Sequence, residues 1–269
     1  MSKCKLAVIQ MHIKDDKIKN LETLNIILKE VLKNNVDLVV LPEMFCCPYV
    51  AKLFPLYAEE ENGATFTYLS KLAKDNNIYL VCGSMPEVDE NDKVYNTSYV
   101  FDRNGILIGK HRKIHLFDMQ IGEQLIKESK TITPGKDITV FDTEFGKFGL
   151  CICYDLRFPQ LFELMVDKGA KAIIVPAAFN MKTGPAHWEL LFKGRAVDNQ
   201  VYTIGCAPAR NYDDSYVSFG NSMVVSPWGE IINKLGTDEG YFTCDIDFDY
   251  VDSIREQFPF LKHKKKLSF

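Results

Sequence analysis

Residues 148–159 read FGLCICYDLRFP, and the change of character inside this run decides how the chain is laid out. The run is apolar through Cys153 and turns polar at Asp155 and Arg157. Pro159 suits the first turn of a helix, where its missing N–H costs little. A strand that ends near Cys153 and hands over to a helix is the repeating unit of a layered α/β fold. Cys153 then stands at a sharp junction facing a cleft. Backbone N–H groups and a helix N-terminus there favour a thiolate and can receive negative charge on a bound carbonyl oxygen. Cys151 lies two residues earlier, on the same face of a regular strand. Its neighbours Leu150 and Ile152 place it deeper, so it reads as a packed core thiol.

Working outward, strands are predicted over 5–11, 37–41 and 78–82 from short apolar runs. Helices are predicted over 20–33 and 65–74. In the first, Leu21, Leu24, Ile27, Leu28, Val31 and Leu32 recur at three- and four-residue steps and share one face. Strands over 95–101 and 106–109 flank Asp102-Arg103-Asn104-Gly105, a hairpin signal because Asn-Gly accepts positive φ. Strands over 139–142 and 147–153 form a second pair. Beyond Pro159 the pattern predicts a helix over 160–167, a strand over 172–175, a helix over 188–199 and a strand over 201–206. Strands over 219–226 and 230–234 flank Pro227-Trp228-Gly229. A strand over 241–246 and a short helix over 249–257 complete the pattern. The alternation predicts a two-sheet sandwich of parallel and antiparallel strands with helices outside. No linker interrupts it, so residues 1–269 read as one domain. A basic tail begins at about residue 261 and reads as a solvated end.

Composition narrows the function. The chain has 269 residues, with 32 Lys and Arg against 36 Asp and Glu, a formal charge of -4. That balance disfavours a nucleic-acid partner. No apolar stretch approaches the roughly 18 residues of a spanning helix, and the N-terminal apolar run is too short for a secretory signal. Eight cysteines spread along the chain, several in apolar runs, fit a reducing compartment and predict a cytoplasmic protein without a membrane partner. Neither Cys151-Ile152-Cys153 nor Cys46-Cys47 has a matching second pair, so no metal site is expected.

Two further segments carry chemistry. DLVVLPE, residues 37–43, places Glu43 beyond an apolar strand, where functional side chains of α/β folds gather. A desolvated glutamate there has a raised pKa suited to proton exchange near neutrality. GKHRKIHLFD, residues 109–118, concentrates Lys113 and His115 after a strand. Lys113 suits an oxyanion stabiliser and His115 the base of a Cys–His pair, and periodicity does not choose between them. Glu128, before Thr133-Pro134-Gly135, is a candidate second carboxylate. Trp188 and Trp228 read as packing residues.

Three segments in order, Leu41-Pro42-Glu43, 111–116 (HRKIHL) and 151–159 (CICYDLRFP), resemble the nitrilase superfamily of carbon–nitrogen hydrolases. The similarity runs over roughly residues 5 to 260. The resemblance implies an α-β-β-α sandwich and chemistry without metal or cofactor. It implies Glu43 as general base and acid, Lys113 as oxyanion stabiliser, Cys153 as nucleophile and Glu128 as an additional glutamate. It thereby sets His115 aside as the main base. Residues 175–202, with Phe179-Asn180 and 183–189 (TGPAHWE), are similar to the ω-amidase branch of that family, as are Tyr95-Asn96-Thr97 and Asn221-Ser222. This implies a small-molecule α-keto acid amide, α-ketoglutaramate or α-ketosuccinamate, cleaved with water to the dicarboxylate and ammonia. Tyr49, Tyr154, Arg157, Phe179, Asn180 and His187 become binding or oxyanion candidates, with Arg157 the candidate for the far carboxylate. A homodimer is also implied. The alternatives are another amidase of the family, such as one acting on deaminated glutathione, and a catalytically silent interaction protein. The presence of Glu43, Lys113 and Cys153 together argues against the silent protein.

Overall fold

Alternation along the first strand, β1 (Lys3–Gln10), sets the layering. Cys4, Leu6 and Val8 join one core and Ala7 and Ile9 another, so both faces of the strand are covered. The computed structural model describes residues 3–121 and 124–265. After β1 come α1 (Lys17–Leu32), β2 (Leu38–Val40), α2 (Phe54–Tyr57), α3 (Ala64–Asn76), β3 (Tyr79–Val81), β4 (Met85–Val88), β5 (Val94–Phe101) and β6 (Leu107–Arg112). A hairpin of β7 (Asp118–Ile121) and β8 (Gln124–Lys127) precedes β9 (Thr139–Thr143), β10 (Gly146–Leu150), α4 (Pro159–Asp167) and β11 (Ala172–Pro176). The chain continues through α5 (Thr183–Asn199), β12 (Tyr202–Cys206), β13 (Met223–Val225), β14 (Ile231–Lys234), β15 (Gly240–Asp247), α6 (Phe248–Gln257) and α7 (Phe260–His263).

The strands form two mixed sheets. One runs β15-β1-β2-β3-β5-β4, with β6 also paired to β5; the other runs β14-β13-β12-β11-β10-β9. Leu6, Val8, Leu38 and Val40 of the first sheet meet Phe148, Leu150, Ile174 and Ile204 of the second. The outer face of the first sheet packs on α1 and α3 through Leu24, Leu28, Val31, Leu69 and Ala73. The outer face of the second packs on α4 and α5 through Phe162, Met165, Trp188, Phe192 and Ala196. This is the α-β-β-α sandwich that the alternation and the resemblance imply. Each buried aliphatic side chain contributes roughly 1.5–3 kcal/mol.

Several boundaries differ from the sequence expectation, for physical reasons. β10 stops at Leu150 rather than reaching Cys153. Cys151 still donates its N–H to Ile174 O at 3.1 Å, but the next N–H, of Ile152, goes to the Asp155 carboxylate. The ladder is diverted there into a 3-10 turn over Cys153–Arg157. Cys153 is therefore not at a direct strand-to-helix junction, and no regular strand aligns it with Cys151. α5 starts at Thr183, five residues early, because Asn180 Oδ1 accepts from the N–H groups of Lys182 and Thr183. Only Met223–Val225 of the strand expected over 219–226 is extended. The pattern missed β4 and the β7–β8 hairpin. Trp188 is buried, but Trp228 is half-exposed against Phe258 and fills no core position. The basic tail continues through α7 to Lys265 on the surface; Lys266 lies outside the described residues. No helix among the described residues is long and apolar enough to cross a membrane.

The ends of β2 and β3 are laced together beneath Glu43. Gly83 has φ +54°, and a Cβ on it would sit 2.0 Å from Pro42 O. Only glycine allows this approach. Next to it, Ser84 Oγ accepts from the Met44 N–H at 3.0 Å, and Ser84 O accepts from the Phe45 N–H at 3.2 Å. The loop bearing Glu43 is thus fixed on both sides.

Candidate active site

Three strand ends deliver the charged centre. Glu43 follows β2, Lys113 follows β6, and Cys153 follows β10. Glu43 and Lys113 have no solvent exposure, and Cys153 has 5%. Glu43 Oε1 accepts from Lys113 Nζ at 3.1 Å and from Asn96 Nδ2 at 2.9 Å, while Oε2 accepts from the Ala178 N–H at 2.7 Å. Lys113 Nζ also donates to Glu128 Oε1 at 2.9 Å. Glu128 is held further by the Tyr49 hydroxyl at 2.6 Å and the Phe117 N–H at 2.6 Å. The Cys153 thiol stands beside the Glu43 carboxylate, the charged group that raises its pKa most. The structure therefore brings together all four residues expected at the centre, and Lys113 rather than His115 is the one that reaches it.

Charge and burial set the proton positions. Burial raises the Glu43 pKa; Lys113 opposes that shift and Glu128 reinforces it. Burial alone would lower the Lys113 pKa, but Glu128 and Glu43 together hold it above its ordinary value. Burial and then Glu43 push the Cys153 thiol well up. This overturns the expectation of a thiolate favoured by a helix N-terminus. Pro159–Asp167 begins six residues beyond Cys153, past the turn over which a helix dipole acts, and the Glu43 carboxylate outweighs Lys113 at the sulfur. Cys153 rests as a thiol beside Glu43.

A cavity of about 320 Å³ opens over Glu43, Met44, Cys47, Tyr49, Ala178 and Tyr216. A narrower cleft shares Ala178 and Tyr216 and adds Cys153, Tyr154, Arg157 and Phe179. Arg157 has no carboxylate within ion-pair distance among the described residues, so it does not pair with Asp155. Its two terminal nitrogens lie 3.3 Å from His187 Nδ1, its guanidinium lies over Phe179 and Tyr154, and its buried Nε has no partner. Asn180 and His187 are not in the cleft wall. Asn180 caps α5, and His187 holds Arg157; the Tyr216 hydroxyl donates to Ala178 O at 2.5 Å. His115 is stacked on Phe158 at 3.6 Å with Nδ1 2.7 Å from Asp155 Oδ1, which occupies it structurally. Cys151 is buried in the core around α4 and α5, as expected. Cys46 and Cys47 are buried free thiols, Cys47 against Met44.

Sequence reasoning quoted Asn96 and Asp155 within motifs but gave neither a role, and it missed Tyr216. A polar residue inside an otherwise strand-like run was the available signal for Asn96. Among the described residues no group of three or more His, Cys, Asp and Glu side chains is placed to hold a metal ion.

A thiol held against a carboxylate, with an ammonium beside it, is equipped to add sulfur to a carbonyl carbon and return a proton to a leaving nitrogen. Residues 5–256 match the family model described as Carbon-nitrogen hydrolase, and the chain belongs to that family, part of the nitrilase superfamily. Within it, omega-amidase NIT2 of Danio rerio is 46% identical over 266 residues, covering 98% of this chain and 96% of that protein. Omega-amidase NIT2 of Homo sapiens is 45% identical with the same coverage. The crystal structure of Saccharomyces cerevisiae Nit3, a member of branch 10 of the nitrilase superfamily, superposes with a TM-score of 0.89 at 43% identity. It covers 96% of this chain and 95% of that one.

Lys113→Met leaves two buried carboxylates facing each other without their cation. A loss on the order of 3–5 kcal/mol at neutral pH is expected. The loss should shrink as pH falls, because protonating Glu43, whose pKa burial already raises, removes part of the uncompensated charge. Urea denaturation of both proteins between pH 5 and pH 8 checks this; a pH-independent difference would show that the ammonium is not what neutralises the pair.

Proposed function

We propose that the chain is an ω-amidase that hydrolyses the terminal amide of α-ketoglutaramate or α-ketosuccinamate to the dicarboxylate and ammonia. Its similarity over nearly its whole length to omega-amidase NIT2 supports that reaction. The observation that carries the residue roles is the buried cluster of Cys153, Glu43 and Lys113 beside an arginine that has no carboxylate partner among the described residues.

Glu43 takes the thiol proton as Cys153 Sγ bonds to the amide carbon. Carboxylate plus thiol becomes acid plus thiolate, so the pocket's net charge does not change. The raised Glu43 pKa makes it the better acceptor, while the raised thiol pKa means the proton leaves only as the S–C bond forms. Negative charge moves onto the amide oxygen, where the Lys113 ammonium and the Tyr154 N–H receive it. Glu43 then returns its proton to the nitrogen as the C–N bond breaks, leaving a thioester and ammonia. Glu43 next takes a proton from water, whose oxygen attacks the thioester, and the protonated Glu43 restores the thiol. Glu128 keeps Lys113 charged and aimed. Arg157 binds the carboxylate at the far end of the substrate, with the faces of Phe179 and Tyr154 closing over it.

Cys153→Ala should fold normally and lose turnover by about 10⁴-fold or more in an ammonia-release assay with α-ketoglutaramate, α-ketosuccinamate, glutamine, asparagine and deaminated glutathione. Residual turnover near wild type would remove the nucleophile assignment, and a preference of the wild type for deaminated glutathione would favour the alternative amidase. For Arg157→Gln, KM for α-ketoglutaramate should rise by about 10- to 100-fold, the loss of one charge-assisted contact. A neutral amide of equal length should show little change; an equal rise for both would place the carboxylate elsewhere.

The family resemblance also supports a homodimer. Leu190 (68% exposed) and Val197 lie seven residues apart on α5, with Trp228 and Phe258 half-exposed as well. We place the self-association face there. Sedimentation should give twice the chain mass, and Val197→Glu should shift it toward the single chain; an unshifted dimer would place the face elsewhere.

A further inference from the structure

Cys153 and Lys113 stand on different sheets and 40 residues apart, yet the reaction proposed above needs sulfur and ammonium on the same carbonyl group. We propose that Asp155 is the positioning residue that fixes one against the other, acting as a four-point clamp between the strand ends that carry them. This rests on the ω-amidase reading of the site.

The clamp is made by one fully buried carboxylate. Asp155 Oδ1 accepts from the His115 backbone N–H at 2.9 Å and lies 2.7 Å from His115 Nδ1. Asp155 Oδ2 accepts from the Ile152 N–H at 3.1 Å and lies 3.1 Å from His111 Nε2. His111 and His115 flank Lys113 by two residues on either side. Ile152 and Asp155 bracket Cys153. One side chain therefore ties both sides of the Lys113 segment to the backbone just before the nucleophile.

The clamp also closes the nucleophile's own turn. The Asp155 N–H donates to Ile152 O at 3.0 Å while the Ile152 N–H donates back to the carboxylate, so Cys153 lies inside a reciprocal ring. Cys153 has φ +47°, a left-handed conformation that a residue with a Cβ keeps only when its surroundings impose it. The ring supplies that constraint. Burial would raise the Asp155 pKa, but the two histidines hold it below the ordinary carboxylate range, so the clamp stays ionised at neutral pH. Asp155 does not line the cleft and has no route to substrate, which makes it a positioning residue and not a catalytic one.

The amide of asparagine cannot replace it. Each carboxylate oxygen receives a backbone N–H, from His115 on one side and Ile152 on the other. Whichever way an asparagine side chain is turned, its NH₂ group meets an N–H donor. The rest of the turn keeps an independent anchor, because Arg195 on α5 donates to Leu156 O at 3.0 Å and Arg157 O at 3.2 Å. The Arg157 side of the cleft is therefore expected to survive the substitution.

The test compares wild type, Asp155→Asn, His115→Ala and Phe158→Leu in two assays. In steady-state ammonia release from α-ketoglutaramate, Asp155→Asn should lose about 10²-fold in kcat with KM within about threefold of wild type, the signature of misplaced reacting groups with binding intact. In alkylation of Cys153 by iodoacetamide, followed by peptide mass, the variant should react at least about tenfold more slowly or faster than wild type, because sulfur and Glu43 no longer keep their register. His115→Ala, which removes the ring bond and the stack on Phe158 but leaves the backbone N–H, should lose about tenfold in kcat with KM retained, whereas Phe158→Leu, which removes the stack alone, should keep wild-type kcat; the pair decides the matter if Asp155→Asn does not fold. A folded Asp155→Asn or His115→Ala variant with wild-type kcat and unchanged alkylation overturns the clamp, as does a rise in KM at constant kcat. If wild type releases no ammonia from any ω-amide, the reading of the reaction fails, while the alkylation comparison still reports on the clamp.

Discussion

Everything at the centre of this molecule turns on one ammonium group taken fully out of water between two carboxylates. Removing a lysine charge from solvent costs several kcal/mol. One carboxylate at hydrogen-bond distance returns on the order of 4 kcal/mol at the effective dielectric of such a site, which roughly breaks even. The second carboxylate makes Lys113 securely charged. It also leaves the cluster with an excess negative charge, and the fold answers with neutral donors. Asn96 and the Ala178 N–H serve Glu43, and Tyr49 and the Phe117 N–H serve Glu128. The residues around the cluster are explained by that electrostatic need.

The same need accounts for the layering. Glu43, Lys113, Cys153 and Ala178 all follow strands, two from each sheet, so the cluster sits where the two sheets end together. A single sheet would expose one side of the lysine to water. The sandwich surrounds it, and among the described residues a cavity opens beside the cluster at Tyr49 and Tyr216. The buried thiol follows from this enclosure. In such an enclosed site a free thiolate beside Glu43 is costly, which is why burial and Glu43 raise the Cys153 pKa.

Period and punctuation made much of the layered fold legible in the sequence. β1 and β11 read as strands because buried faces on both sides leave continuous apolar runs, and α1 read as a helix because its stripe repeats at three and four residues. What escaped were features decided by long-range hydrogen bonds. Nothing local in FGLCICY says that β10 stops at Leu150; the cause is the Asp155 carboxylate capturing the Ile152 N–H. The early start of α5 lies in Asn180, and the β7–β8 hairpin carries no turn residue in its described part. At the site, Glu43 and Cys153 were visible as polar residues closing apolar runs. Lys113 was not separable from His115 by pattern, because the difference lies in which of them faces inward across the sheet. Asn96 showed only as a polar residue in a strand-like run, and neither its bond to Glu43 nor that of Asp155 to His111 and His115 is local enough for pattern to reveal.

The far end of the cleft obeys a different rule from the centre. Two partly buried guanidinium groups are matched in place, Arg112 by Glu87 and Arg103 by Asp37 and Glu144; Arg255 and Arg210, with no ion pair among the described residues, donate instead to backbone carbonyls. Arg157 is held by a histidine nitrogen and two aromatic faces, none of which carries a full negative charge. Those supports fix its direction without neutralising it. An arginine kept in that condition beside a reactive sulfur costs the empty protein stability that an internal carboxylate would restore. On the reading proposed above, a dicarboxylate monoamide meets both ends at once, its carboxylate on the guanidinium and its amide over the thiol. The separation of guanidinium and thiol, more than the reactivity of the cysteine, then sets which amides the proposed cleft accepts.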